Sequence, residues 1–570
     1  MKKVLLAVVS GVAVVGAVAW HQRIDLMLAL VKFRSEREAA VAPHRDIAWQ
    51  QGPAVAAAPA AERPPNIILI LADDLGYNDI STFGGGVAGG RVQTPHIDQL
   101  AANGAVYEQA YAGNATCAPS RAMIMTGRYP TRTGFEFTPT PSGMGPMVSL
   151  IAGSMESGLP PGRFNERAAE GAPPYEMQGL PSEEVTVAEV LRERGYHTVH
   201  IGKWHLGRGK GFAPLDQGFD ESLLMASGLY LPEDDPNVVN AKLEFDPIDQ
   251  FLWARMGFAA AFNNTGDDLF APGGYLTDYW TEESIKVIRA NRHRPFFLYL
   301  AHWGPHTPLQ ATREDYAAVG DIQPHHLRVY AAMIRALDRS VGRIVAELDA
   351  QGLADNTLVL FSSDNGGAGY VGLPEVNAPF RGWKLTYFEG GLRVPLFLQW
   401  PQRIAAGARV TQPVAHIDIM PTLAAAADAK TPDNVVLDGL NLLPLVSAPA
   451  GSAQDSAVVE EPALALIRQR ETLFWQSGYY RAVRHGDWKL QVSESPKKTW
   501  LYHLAVDPQE RDNLAAVEPG KRAELEALLG EHAASARPPL YPFVAEMPVA
   551  IDKTLAERVT PADEYIYWPN

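Results

Sequence analysis

The chain has 570 residues, of which 46% are hydrophobic and 20% charged, with 49 Gly and 44 Pro. That composition excludes wholesale disorder and fibrous repeats, and at roughly 150 residues per domain the length points to three or four units. Asp plus Glu number 65 against 49 Lys plus Arg, a formal charge of -16, which argues against nucleic acid as a partner. An anionic ligand would have to meet a local cluster of positive groups. The single cysteine, Cys117, excludes an intrachain disulfide and any cysteine-built zinc or iron–sulfur site.

At the start, Lys2 and Lys3 precede an uncharged run over 4–20 with small residues at Ala17 and Ala19, the pattern of an export signal. At 1.5 Å per residue the run reaches roughly 25 Å, so an uncleaved membrane anchor is the second reading of residues 1–22. Either way the expected location is periplasmic, or anchored in the membrane and facing the periplasm or exterior. Lipoprotein attachment is excluded, because no cysteine lies near the start. Residues 23–65, Ala- and Pro-rich from 39 onward, read as a linker.

From residue 66 the chain alternates strands and helices. NIILIL at 66–71 is a short continuous apolar run, as expected of a strand buried on both faces. A helix follows, with Thr94 as cap, Pro95 at its first position, Ile97, Leu100 and Ala101 on one face, and Gly104 to end it in a left-handed conformation. The pattern repeats as a helix over 186–194 stopped by Gly195 and a strand over 196–201, then helix 280–291 and strand 296–300, then a long helix over 325–351 and strand 357–362. Such alternation predicts an α/β fold over 66–425, a mostly parallel central sheet with helices on both faces. Short runs at 472–476, 480–483, 488–492 and 500–504, with a helix over 520–532, predict a smaller α+β domain with an antiparallel sheet within 426–570. The Gly/Pro-rich stretches 138–179 and 230–274 are too long for simple connections and are expected to shape a site.

In an open parallel sheet, ligands bind beyond the carboxyl ends of the strands. Here those ends are polar: Asp73-Asp74, then Lys203-Trp204-His205, then His302 and His306, then Asp364-Asn365. Any one of these could be a helix cap or a solvated ion pair, but four together point to one place. Asp73, Asp74, Asp364 and Asn365 offer only oxygen donors, which favour calcium, with magnesium second, over zinc. Lys203, His205, His306 and Lys384 would surround an anion with positive or proton-donating groups, as transfer of a sulfuryl or phosphoryl group requires. His416 and Asp418 could suggest another metal site, but Asp418 is better explained as a cap before Pro421-Thr422.

Cys117 opens a short helical run through Thr126, closed by Gly127, and a helix start attracts anions. A thiolate nucleophile there would leave the metal cluster without a role. Cys117-Ala118-Pro119-Ser120-Arg121 followed by Thr126-Gly127-Arg128 resembles the signature of the type I sulfatases, members of the alkaline-phosphatase-like superfamily. In that family the cysteine is oxidised to formylglycine (3-oxoalanine). NIILILADDLG at 66–76, GKWHLG at 202–207, PHTPL at 305–309, DNGG at 364–367, and Lys384 with Glu389-Gly390-Gly391 match in the family's order, and 500–513 is similar to its C-terminal domain.

The resemblance implies that Asp73, Asp74, Asp364 and Asn365 bind calcium together with the modified Cys117. It further implies that Arg121 holds the formylglycine hydrate, that Lys203, His306 and Lys384 bind sulfate oxygens, and that His205 contacts the hydrate and acts as base. His302 is the weaker candidate beside His306. The implied activity is arylsulfatase-like: one hydroxyl of the hydrate, with Asp364 as base, attacks sulfur to give a sulfo-enzyme, and the second expels sulfate. The implied partners are a formylglycine-generating maturation enzyme and a sulfated small molecule or carbohydrate. A phosphodiesterase or phosphonate monoester hydrolase of the same superfamily is the alternative. A non-catalytic binding protein would be marked by a missing member of this set, and none is missing.

Overall fold

The computed structural model describes residues 22–38, 40–141, 143–264, 268–446 and 470–570. The apolar run at 4–20 lies outside them, and no described helix is long and apolar enough to cross a membrane.

One eleven-stranded sheet organises the larger domain. Its strands are β1 (Val41–Ala42), β2 (Asn66–Ala72), β3 (Ala105–Tyr107), β4 (His197–Gly202), β5 (Glu221–Gly228), β6 (Phe258–Phe262), β7 (Leu269–Phe270), β8 (Phe296–Ala301), β9 (Thr357–Ser363), β10 (Leu396–Gln399) and β11 (Ala408–Val410). They lie in the order β1-β7-β6-β5-β4-β8-β2-β9-β10-β3-β11. The central strands β5, β4, β8, β2 and β9 run parallel, and antiparallel pairings flank them on both sides. In β2 the side chains of Ile68, Ile70 and Ala72 enter one core and those of Ile67, Leu69 and Leu71 the other. Each large apolar side chain so buried contributes about 1.5–3 kcal/mol relative to exposure, which is why an uninterrupted apolar run settles in the middle of the sheet.

Helices cover both faces. On one lie α1 (Pro95–Ala102), α4 (Leu276–Asn291) and α5 (His325–Ala350); on the other lie α2 (Cys117–Thr126), α3 (Val187–Glu193) and α6 (Ile419–Ala426). Two expectations about α1 fail. The Thr94 hydroxyl accepts from Ser81 N and donates to Asp98, and the free N–H groups of His96 and Ile97 bond instead to Asp338 of α5, at 3.0 and 2.9 Å. Gly104 is not left-handed; it is needed because a Cβ there would lie 2.3 Å from the carbonyl oxygen of Leu398.

The expected linker is also corrected. Residues 23–38 form a helix whose Ile24, Leu28 and Val31 pack against the helices Met144–Ala152 and Pro247–Arg255. Farther on, β1 joins the sheet, Ile47 and Trp49 are buried, and Trp49 Nε1 donates to Glu283 at 2.7 Å. A few apolar anchors on long-range partners hold a segment that has no periodicity of its own.

The C-terminal strands Thr472–Ser477, Tyr480–His485, Trp488–Glu494 and Lys497–His503 form an antiparallel sheet in chain order, packed under the helix Pro519–Ala534. It is joined to the larger domain at Glu389, whose carboxylate lies 2.8 Å from Lys489 Nζ and whose N–H donates to Glu510, itself 3.0 Å from Lys489. The chain then returns, and Ala545–Ala550 pairs with both Tyr565–Pro569 and Arg163–Phe164.

Asp249, on the helix Pro247–Arg255, provides a pH test of this packing. Its carboxylate accepts from Leu243 N at 2.7 Å and Trp253 Nε1 at 3.1 Å, and burial pushes its pKa up to about 7. The folded state therefore keeps a proton that the unfolded chain loses near pH 4, so this group's contribution is full at low pH and fades as pH rises to about 7. Asp249→Asn should flatten the dependence of the urea midpoint on pH between 4 and 7. It should gain roughly 2 kcal/mol at neutral pH, less than the whole shift because the amide gives up charged hydrogen bonds.

Candidate active site

The carboxyl ends of β2, β4, β8 and β9 and the start of α2 meet in one buried cluster. Asp73 and Asp74 leave β2, and Asp74 turns into the left-handed region at φ 60°, held by its N–H on Asp364 Oδ1 at 3.2 Å. A strained backbone of this kind at a strand end places both carboxylates on the same spot. α2 begins at Cys117 and ends at Gly127, which takes the left-handed φ of 64° that lets the chain turn away.

Cys117 Sγ lies 3.5 Å from Asp73 Oδ1, 3.7 Å from Asp74 Oδ1 and 3.2 Å from Lys384 Nζ. Lys203 Nζ sits 2.5 Å from Asp73 Oδ2, and Lys384 Nζ 2.8 Å from Asp74. One turn along α2, Arg121 bridges Asp73 at 3.2 Å and Asp364 at 2.8 Å, and also donates to Lys203 O and Tyr299 Oη. Its side chain is spent on the carboxylates; among the described contacts none goes to Cys117.

His306 closes the cluster. Its Nδ1 faces Thr307 O at 2.6 Å, an acceptor only, so that nitrogen carries the proton and Nε2 presents a lone pair 3.5 Å from Asp74 and 3.4 Å from Lys384. His205, left-handed at φ 64°, lines the same cavity as Cys117, and its buried Nδ1 has no partner. His302 belongs elsewhere: its Nε2 meets Ser340 of α5 at 2.9 Å in the core. Asp418 stands before α6 but makes no side-chain cap bond to it; its carboxylate accepts from Ala415 N and Leu440 N and pairs with Arg470, a structural role.

Charge separates strongly here. Burial would raise Asp74, but Lys384, His306 and Lys203 outweigh it and hold its carboxyl well below the usual range. Burial, then Asp364, push the Cys117 thiol well above its ordinary value. Burial would lower Lys384, but Asp74 and Cys117 reverse this and raise it. Burial takes His306 down to about 3 and, with Lys203, takes His205 well below its usual value. Both imidazoles are therefore neutral at ordinary pH.

The donors suit a hard cation. Metal-binding atoms of Asp73, Asp74, Cys117 and His306 lie within 4.8 Å of one another. Asn365 spends its amide N–H groups on Asp74 Oδ1 at 2.7 Å and Gly366 O at 2.9 Å, leaving a buried Oδ1 with no donor. An orphaned buried acceptor beside carboxylates is what an oxygen-ligated divalent ion would satisfy.

Residues 65–429 match the family model Sulfatase, and 382–534 match N-sulphoglucosamine sulphohydrolase, C-terminal. The chain belongs to the sulfatase family. It hydrolyses sulfuric esters. The sulfatase is 33% identical to human N-acetylgalactosamine-6-sulfatase over 475 residues, covering 80% of this chain and 82% of that one. It is 33% identical to human arylsulfatase A over 504 residues, 83% and 87% of the two chains. The crystal structure of Ps i-CgsB superposes with a TM-score of 0.66 at 30% identity, covering 84% of the sulfatase and 95% of that chain.

Two residues of the sulfatase site were not foreseen. Tyr370 donates to Asp74 Oδ2 at 2.6 Å and takes a bond from Lys384 at 3.1 Å, and Trp303 stacks on His306 with ring centres 4.0 Å apart. Trp303 lies between the two candidate histidines in sequence, and Tyr370 follows DNGG closely. Neither carries a charge to betray it.

Proposed function

We propose that the enzyme cleaves a sulfate monoester to alcohol and sulfate in the manner of an arylsulfatase, with Cys117 converted to formylglycine and calcium held by Asp73, Asp74, Asp364, Asn365 and residue 117. The observation that carries this reading is a single buried cluster in which Cys117 has carboxylates on one side and Lys384 Nζ, at 3.2 Å, on the other. Magnesium is the less suitable ion, because it keeps more of its own water. Once formed, the hydrated aldehyde supplies two hydroxyls on one carbon, one to attack sulfur and one to expel sulfate, and the cation supplies charge against the oxygens involved.

The chain's own residues do the rest. Lys203 and Lys384 present ammonium groups where sulfate oxygens would lie, in a site closed to bulk water. Arg121 fixes Asp73 and Asp364 so that neither can swing away, and Asp364 is the base for the first step. His205, neutral and with a free ring nitrogen, takes the proton in the second. Lys384, held protonated beside Asp74, assists the leaving oxygen, which matters most for poor leaving groups, while His306, stacked on Trp303, presents a lone pair to the site and no proton. The relatives' names cover sugar, aryl and steryl sulfates, and any of these fits the reacting end alone. The reading places the enzyme outside the cytoplasm, exported behind residues 1–22 and matured by a formylglycine-generating enzyme.

Intact-peptide mass spectrometry across Cys117, on enzyme from its native host, should show an aldehyde in place of the thiol. That enzyme should turn over an aryl sulfate at least about 100-fold faster than an aryl phosphate diester, and calcium chelation should abolish the activity, with calcium restoring it. An intact thiol with undiminished sulfate release would refute the reading, and a preference for the diester would transfer the protein to the phosphodiesterase class.

A further inference from the structure

The reacting groups form the floor of a cavity of about 280 Å³. Its walls come from separate parts of the chain and are apolar: Met144 and Val148 from the helix Met144–Ala152, Ile248 and Leu252 from Pro247–Arg255, and then Met256 and Met547. A second chamber of about 220 Å³ adjoins it along Tyr370, Lys384 and Leu385, and it is walled by Phe245, Trp383 and Leu555. Two of these wall segments lie in the long stretches 138–179 and 230–274, and a third is near the chain's end.

The walls are apolar, and few polar side chains reach the cavity away from Cys117, several of them already bonded. Asn570 accepts from Thr138 N and donates to Thr138 O and Thr140 Oγ1, Gln178 donates to Pro173 O, and Arg208 donates to Ala226 O. In the second chamber, Lys553 is paired with Asp563 and Arg558 O. Among the described residues no carboxylate lines either space. A sugar ring entering here would set most of its hydroxyls against apolar wall, which costs free energy for each one left unpaired. A hydrocarbon framework loses nothing. Four methionines in the first cavity, Met144, Met225, Met256 and Met547, add unbranched side chains that adapt to its outline.

We propose that the site takes sulfate monoesters of bulky apolar alcohols or phenols, one sulfate on a fused-ring or long hydrocarbon body, and rejects sulfated sugars. This rests on the sulfatase reading above; it goes against the sugar substrate in the name of one relative and is in line with the name of another, steryl-sulfatase. The sulfate sits on the lysines, and the organic group spreads over the methionine wall toward Phe245 and Trp383.

The test compares matured enzyme on a steroid 3-sulfate, 4-nitrophenyl sulfate and N-acetylgalactosamine 6-sulfate. The steroid ester should exceed the sugar ester in kcat/KM by at least about 100-fold. Met547→Glu should raise KM for the steroid ester about tenfold or more, and Met547→Leu, apolar and of similar volume, should restore a KM close to that of the wild type. Titration calorimetry on unmatured Cys117→Ala protein should detect the steroid ester and not the sugar ester. Preference for the sugar ester in either assay, or an unchanged KM in Met547→Glu, overturns the proposal while leaving the sulfatase reading intact. Failure of matured enzyme to cleave any sulfate ester overturns both.

Discussion

Cys117→Ala should show no steady turnover of an aryl sulfate, a loss limited only by the sensitivity of the assay, while unfolding at a urea midpoint close to that of the wild type. The side chain at 117 is buried against Asp73, Asp74 and Lys384, and in the proposed mechanism it is the group that attacks sulfur. Its removal vacates about one sulfur atom's volume, a cost of about 1 kcal/mol, and leaves every ion pair of the cluster in place. Cys117→Ser is the sharper variant. Its single hydroxyl can attack, but it has no second hydroxyl with which to expel the product, so it should stop after one turnover as a sulfate ester detectable by mass. Multiple turnover by either variant would contradict the mechanism.

Arg121→Met should lower the folding free energy by about 3–5 kcal/mol, read from the urea midpoint at neutral pH. Arg121 is fully buried and is the cation between Asp73 and Asp364, while also satisfying Lys203 O and Tyr299 Oη. Removing it leaves two buried carboxylates facing each other across a space with one fewer positive charge. Saturating calcium should recover part of the loss, because an ion bound by the folded state adds RT ln(1 + [L]/Kd). Arg121→Lys should recover little, because an ammonium cannot reach two carboxylates and a carbonyl at once. If Arg121→Met unfolds within 1 kcal/mol of wild type, roughly the scale of a surface pair, the carboxylates are not relying on this residue.

Strand β2 and its neighbours were legible because an apolar run without polar interruption can be satisfied only inside a sheet covered on both faces. The residue after such a run is then placed by the strand itself, which is why Asp73, Lys203, His302 and Asp364 could be assigned to one edge. His302 shows the limit: the strand brings it to the edge, but its ring turns to Ser340 of a helix far along the chain. The segment 23–65 shows another, since its order comes from partners such as Glu283 and the helices at 144 and 247, and no local pattern encodes them.

The sequence by itself determined the chemistry of the protein: which strand ends carry oxygen donors, which carry cations, and that a lone cysteine opens a helix among them. Those are consequences of adjacency along the chain, with the reactive group one or two residues from an element whose place is fixed by hydrophobic periodicity. Only the tertiary structure decided what surrounds the reacting atoms. Tyr370, Trp303, Met256 and Met547 meet at the site from four separate segments between residues 256 and 547, and their contribution is shape and water exclusion, which arise when separate surfaces pack and are written in no single segment.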